Sequence, residues 1–277
     1  MFPYCCQPPK KFKPVTHVLF DLDGTILDTE SIFQVAFSAL GEEYGKKFTK
    51  EMQNKIAGCV QTETAKRLVE YMELPITPDE CLEKFLSFTR DKLPDCEYMP
   101  GAERFIRHLA AHGVPIAIAT SSAEPEVTLK ISKKMDLFEL FDHIVCGSSD
   151  PEVKQGKPAP DIYLICASRF PCNPDPSKCL VFEDAYNGVL AGLAAGMQTV
   201  MIPDESVPYE MWQHATLRLD SFDDMMPQLF GLPPYPSDDS STIPSPVLNV
   251  PDEIGVDNTG DTEQIVFSDD FGKLDET

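Results

Sequence analysis

Positive charge is scarce in this chain: 23 lysines and arginines stand against 45 aspartates and glutamates over 277 residues, a formal net charge of −22. A surface of that sign repels nucleic-acid phosphates and anionic membranes, so neither is an expected partner. No apolar run approaches the roughly 18 residues that cross a bilayer. Met1 to Lys13 lacks an apolar stretch of the secretory kind and carries three prolines in its first nine residues. Nine cysteines are present, yet no two are spaced Cys-x-x-Cys, which removes the usual structural zinc frame. Cys146, Cys166 and Cys179 lie inside apolar segments and read as reduced core thiols, and Cys5-Cys6 as bystanders at a disordered end. The expected compartment is the cytoplasm.

What is present begins with a short apolar run, Val15 to Phe20, that reads as a buried strand. It leads into Asp21-Leu22-Asp23-Gly24-Thr25, where Gly24 turns the chain. Two carboxylates at a strand end can bind a divalent cation, and one of them is positioned to act as a nucleophile and the other as an acid/base. A helix–loop–helix calcium site wants glycine sixth and glutamate twelfth, whereas counting from Asp21 the glycine is fourth and Ile32 is twelfth. Taken by themselves these residues also fit a solvated turn.

From Glu30 to about Met99 the chain is helical in character, with Asp28 as a candidate cap for the first helix and apolar residues at helical spacing (Ala65, Leu68, Val69, Met72). Beyond Pro100-Gly101 the pattern alternates. Strands are predicted at Val114 to Ala119, His143 to Cys146, Cys179 to Phe182, Thr199 to Ile202 and near Thr216 to Leu219. The helices between them include a single one from about Glu124 to Met135. Such alternation implies a doubly wound parallel α/β sheet. The expected division is an N-terminal tail (1–14), an α/β core (15–31 and 100–232), a small inserted α-helical cap (32–99) and an acidic tail (233–277). From Gly231 onward eleven acids face Lys273 alone, so the end of the chain carries −10 of the net charge and reads as disordered. Its Ile265-Val266-Phe267 patch is a candidate protein-docking motif.

In a parallel sheet the loops after successive strands emerge at one edge. Asp21 and Asp23, Thr120 and Ser121, and Glu183 and Asp184 follow three strands, and Lys157 lies in the loop beyond a fourth. Each alone fits a helix cap or a solvated surface residue; together they form one crevice of four acids, two hydroxyls and a lysine. Clustered carboxylates repel unless a cation neutralises them, so Mg2+ is expected on Asp21, Asp184 and the Asp23 main-chain carbonyl. Thr120, Ser121 and Lys157 would bind phosphate oxygens. The chemistry that follows is phosphoryl transfer from a small monoester, with Asp21 attacking phosphorus and Asp23 moving the proton.

The strings Asp21-Leu22-Asp23-Gly24-Thr25, Ala119-Thr120-Ser121, Gly156-Lys157-Pro158 and Phe182-Glu183-Asp184 resemble the four signature motifs of the haloacid dehalogenase superfamily, and the helical insert resembles its cap. Met99-Pro100-Gly101-Ala102-Glu103, Asp150-Pro151-Glu152-Val153 and Leu229-Phe230-Gly231-Leu232-Pro233 are similar more specifically to the animal pseudouridine-5′-phosphatases. The resemblance implies Asp21 as nucleophile, Asp23 as acid/base, Thr120 and Ser121 as phosphate binders and Lys157 as the charge that steadies nucleophile and phosphate. It implies Asp184 as a magnesium ligand, with Glu183 a ligand or a residue just behind. It also implies pseudouridine 5′-phosphate as first candidate substrate, ahead of other sugar or glycerol phosphates. Specificity in such proteins is set by the cap, here the segment Ile56 to Gln61, with Gly58 and Gln61 as candidates. A β-phosphoglucomutase-like mutase would offer an arginine near Gln61, and none is present. The remaining alternative is an inactive binding module acting through the acidic tail. Tyr186 stands where the family pattern has proline, a difference expected to be structural only.

Overall fold

The computed structural model describes residues 12–57 and 59–236. The acidic segment 237–277 with its apolar patch, residues 1–11 with Cys5-Cys6, and Gly58 lie outside the described residues. Six parallel strands form one sheet: β1 (His17–Phe20), β2 (Ile116–Thr120), β3 (His143–Cys146), β4 (Cys179–Glu183), β5 (Gln198–Met201) and β6 (Leu217–Arg218), in the order β3-β2-β1-β4-β5-β6. The chain works outward from β1 to β3, then crosses back and works outward from β4 to β6. The order therefore reverses between β1 and β4, and in open sheets the crevice at such a switch point is where ligands bind.

Strand periodicity divides the side chains between two cores. Val18, Phe20, Ile116, Ile118, Leu180 and Phe182 face α5 (Ala102–Ala111), where Phe105 stands edge-on to Phe182 at 5.1 Å. Leu19, Ala117, Ala119 and Val181 face the other way, toward Tyr163 and Cys166 of α8 (Asp161–Ser168). The alanines on that face leave room for the Tyr163 ring, which is fully buried.

The helices complete the order. The insert holds α1 (Glu30–Glu43), α2 (Lys50–Ile56), α3 (Gln61–Met72) and α4 (Pro78–Thr89); after α5 come α6 (Glu124–Ile131), α7 (Met135–Phe138), α8 (Asp161–Ser168), α9 (Tyr186–Ala194) and α10 (Tyr209–Trp212). Asp28 accepts from the Ser31 N–H at 3.2 Å, as expected of a first-turn cap. The single helix predicted from Glu124 to Met135 is two helices. The chain turns at Ser132 to Lys134, where the Lys134 N–H donates to the Ile131 carbonyl, a short-range turn that apolar spacing does not reveal. Pro233 to Pro236, predicted as the start of the tail, lie against α5: the His108 ring donates to the Pro233 carbonyl and the Tyr235 ring lies 4.6 Å from Arg104.

Helices α1 to α4 have a core of their own, built on Phe37, Leu40, Leu68, Met72 and Phe85, with Phe37 and Phe85 stacked at 4.8 Å. Leu27 and Tyr98 form an antiparallel bridge where the chain leaves and re-enters the sheet layer. Flanking bonds, Asp28 N–H to the Glu97 carbonyl and Met99 N–H to the Ile26 carbonyl, make a two-stranded neck carrying the helical insert over the C-terminal edge of β1.

Candidate active site

Asp21 follows β1 directly, and its N–H donates to the Phe182 carbonyl of β4, so the carboxylate stands at the switch point. Gly24 takes a left-handed turn (φ +76°) that brings Asp23 back beside it, and a Cβ there would sit 2.3 Å from Asp184 Oδ2. Asp21, Asp23, Thr120, Ser121, Asp184 and Gln61 line one cavity of about 80 Å3, with Glu30, Phe33 and Phe85 closing it from the insert. Lys157 and Glu183 are fully buried behind this layer. Lys157 Nζ donates to Asp21 Oδ1 at 2.5 Å and to Glu183 Oε1 at 2.6 Å, and the Tyr163 hydroxyl donates to the same glutamate oxygen. Lys157 and Glu183, neither of which lines the cavity, thus support the site from below. Gly58 is outside the described residues, while Gln61 lies at the rim, bonded to Glu126 of α6.

Burial drives the electrostatics. It pushes the Asp21 carboxyl up to about 7, with Glu183 and Asp23 adding to the effect and Lys157 opposing it. Burial and the charges of Glu183, Asp21 and Glu30 push Asp184 well above the usual carboxylate range. Glu30 is raised to about 7, again by burial. Burial opposes the charge of Asp23 as well, but the Lys130 ammonium and the hydroxyls of Thr29 and Ser122 outweigh it, and Asp23 sits below its ordinary value. Lys157 is likewise penalised by burial, yet Asp21 and Glu183 raise it overall.

Asp21, Glu183 and Asp184 bring ligand oxygens within 4.8 Å of one another. Crowded carboxylates, two of them reluctant to ionise without a counter-charge, are the donor set of a hard divalent cation, so the residues fit one. Of the three, Glu183 has one oxygen already engaged by Lys157 and Tyr163. The Thr25 hydroxyl reaches Asp184 Oδ1 at 3.4 Å.

Three participants were absent from the sequence reading. Lys130 of α6 makes an ion pair with Asp23 at 2.7 Å, the Ser122 hydroxyl donates to Asp23 Oδ2 at 2.8 Å, and the Thr29 hydroxyl donates to Oδ1 at 2.7 Å. A signal existed for Lys130: Val127, Lys130 and Ile131 share the buried face of one short helix, and lysine on an apolar face requires a partner. Nothing in the spacing of Thr29 or Ser122 distinguishes them from ordinary caps. Tyr186 begins α9, and its neighbour Asn187 donates to the Ala57 carbonyl, tying sheet layer to insert.

A parallel sheet whose switch point gathers paired aspartates, a hydroxyl loop, a buried lysine and a cation donor set has the architecture of a hydrolase core of the α/β class. The chain belongs to the haloacid dehalogenase-like hydrolases, whose family pattern matches residues 18–202. It is 46% identical over 226 residues to a probable pseudouridine-5′-phosphatase of Drosophila melanogaster, covering 82% of this chain and 98% of that protein. It is 42% identical over 226 residues to (DL)-glycerol-3-phosphatase 2 of Arabidopsis thaliana, covering 80% and 93%. The crystal structure of β-phosphoglucomutase from Clostridium difficile shares the fold, with a TM-score of 0.63, 23% identity and coverage of 76% of this chain and 93% of that one. No helix among the described residues is long and apolar enough to cross a membrane.

Proposed function

We propose that this hydrolase is a phosphatase of small phosphate monoesters that works through an aspartyl-phosphate on Asp21, with magnesium as its cation and pseudouridine 5′-phosphate as its first candidate substrate. The observation that carries the reading is the pairing of Asp21 and Asp23 at the floor of one cavity, each held by its own buried lysine. Lys157 occupies Asp21 Oδ1, which leaves Oδ2 to attack phosphorus. As the Asp21–phosphorus bond forms and the ester bond breaks, the protonated form of Asp23, a minority species beside Lys130, delivers its proton to the departing oxygen. Asp23 then takes a proton from water, whose oxygen attacks the aspartyl-phosphate and frees Asp21. Thr120 and Ser121, which line the cavity at the end of β2, would bind the phosphoryl oxygens. Asp21, Asp184 and the Asp23 carbonyl would hold the cation, with Glu183 anchoring Lys157 or joining them. When bound, the cation supplies positive charge to the phosphoryl oxygens and relieves the repulsion among the acids.

In this reading, residues 15–31 and 100–232 are the catalytic core and 32–99 the cap that selects the substrate. A cavity of about 80 Å3 is well under the roughly 300–1,000 Å3 of ordinary ligand pockets. A nucleoside monophosphate therefore enters only when the insert moves off the core, breaking the Gln61–Glu126 and Asn187–Ala57 bonds. The seven cysteines among the described residues are all free thiols, which supports a cytoplasmic setting. The test is phosphate release from pseudouridine 5′-phosphate, uridine 5′-phosphate, glycerol 3-phosphate, 2-deoxyglucose 6-phosphate and β-glucose 1-phosphate, with and without magnesium, beside Asp21→Asn. Magnesium-dependent release that prefers the pseudouridine ester and is lost in the variant supports the whole reading. Release without that preference discards the substrate, and none from any ester discards the activity.

A further inference from the structure

Lys130 touches no reacting atom in the chemistry above, yet it is fully buried, and a buried lysine without a purpose is costly. An ammonium has three protons to donate. Here Nζ lies 2.7 Å from Asp23 Oδ1, 2.9 Å from Asp23 Oδ2 and 2.7 Å from the Ser122 hydroxyl oxygen, so three acceptors account for all three. The Phe33 ring of α1 covers the remaining side at 5.5 Å, a cation–π contact that seals the ammonium beneath the insert. Lys130 is not among the residues that line the cavity, and no proton is left over for a phosphoryl oxygen.

On the acid/base reading of Asp23 given above, we propose that Lys130 is a positioning residue that orients the Asp23 carboxylate for proton transfer. Four side chains hold that carboxylate: Thr29 on Oδ1, Ser122 and, at 3.4 Å, Thr120 on Oδ2, and Lys130 on both. Only Lys130 touches both oxygens. Either one can therefore turn to the ester oxygen or the attacking water while the other stays anchored, and Ser122, accepting from Lys130 and donating to Asp23, braces the pair. Proton transfer demands heavy-atom placement within hydrogen-bond reach, so an unanchored carboxylate loses rate even where its charge state is right.

The experiment compares Lys130→Met, Asp23→Asn and wild type on an alkyl ester (glycerol 3-phosphate or pseudouridine 5′-phosphate, whichever wild type turns over) and on p-nitrophenyl phosphate. The nitrophenolate departs as a stable anion and needs no proton, whereas the alkoxide does. The later attack of water, which also uses Asp23, is common to both esters, so the first step is read alone. With enzyme in excess, Lys130→Met should lose on the order of 100-fold or more in the single-turnover rate of alcohol release from the alkyl ester and only a few-fold in that of nitrophenolate from the aryl ester. Asp23→Asn should show a split of the same sense. Equal losses of this first-step rate on both esters, or no loss on either, overturn the inference while wild-type turnover leaves the phosphatase reading intact. Absence of wild-type turnover fails that reading instead. Should Lys130→Met not fold, as judged by its thermal melt, Ser122→Ala removes the brace without removing charge and should show a smaller split of the same sense; equal losses there overturn the inference too.

Discussion

Lys157 and Asp21 meet at 2.5 Å with the lysine side chain wholly excluded from solvent and the aspartate nearly so. The same ammonium lies 2.6 Å from Glu183, also wholly excluded. Removing one member of a buried charged set strands the others, which costs about 3–5 kcal/mol. Lys157→Met should therefore unfold in urea with its stability lowered by that amount and release no phosphate. A variant with wild-type stability would show that the contact is not maintained in solution.

Asp21→Asn should abolish turnover and keep the fold. Lys157 retains Glu183 as its partner, and the amide occupies nearly the same volume. The variant should melt within a few degrees of wild type in chelator, and incubation with substrate should yield no phosphoenzyme by intact-mass measurement. Labelling at Asp21 in wild type, absent in the variant, distinguishes a covalent mechanism from direct attack by water.

The pH dependence of stability has a definite sign. Asp21 and Glu30 titrate near 7 in the folded protein, against ordinary values of 3.8 and 4.5. The folded state holds their protons more tightly than the unfolded chain, so this stabilisation is complete below about pH 4 and is lost as pH rises through about 7. In chelator the melting temperature should fall between about pH 5 and pH 8, and fall less in Asp21→Asn. A divalent cation competes with those protons, so magnesium should raise the melting temperature more at pH 8 than at about pH 6. A chelated protein whose melting temperature climbs across that interval would contradict the burial argument.

Gly188 tests the support from a distance. A Cβ at this position of α9 would lie 1.8 Å from Glu183 Oε1 and 1.9 Å from its Cδ. Gly188→Ala must displace the glutamate from Lys157 and Tyr163, although the residue touches neither the cavity nor Asp21. Lost activity in a protein that still folds is the expected result, read by kcat beside a thermal melt; wild-type kcat would show that Glu183 does not steady the nucleophile.

Much of this protein was legible before any coordinates. Alternating apolar runs and helical stretches are local consequences of strand and helix geometry, so the α/β core, the helical insert and the gathering of Asp21, Thr120, Lys157 and Asp184 at one sheet edge followed from order alone. The break at Ser132 to Lys134 did not, because a turn inside a helical pattern depends on which flanking residues find a core to bury, here Leu137 and Phe138. Nor did the division of labour between the two lysines. The motif made Lys157 the charge that steadies nucleophile and phosphate, but only the fold shows its ammonium shared between Asp21 and Glu183, and Lys130 had no motif at all. Sequence determines which groups can ionise, donate or attack, since that is residue chemistry. Only the tertiary structure decides which of them share a low-dielectric space, and there proximity across 107 or 136 residues, as for Lys130 with Asp23 and Lys157 with Asp21, sets both charge and role.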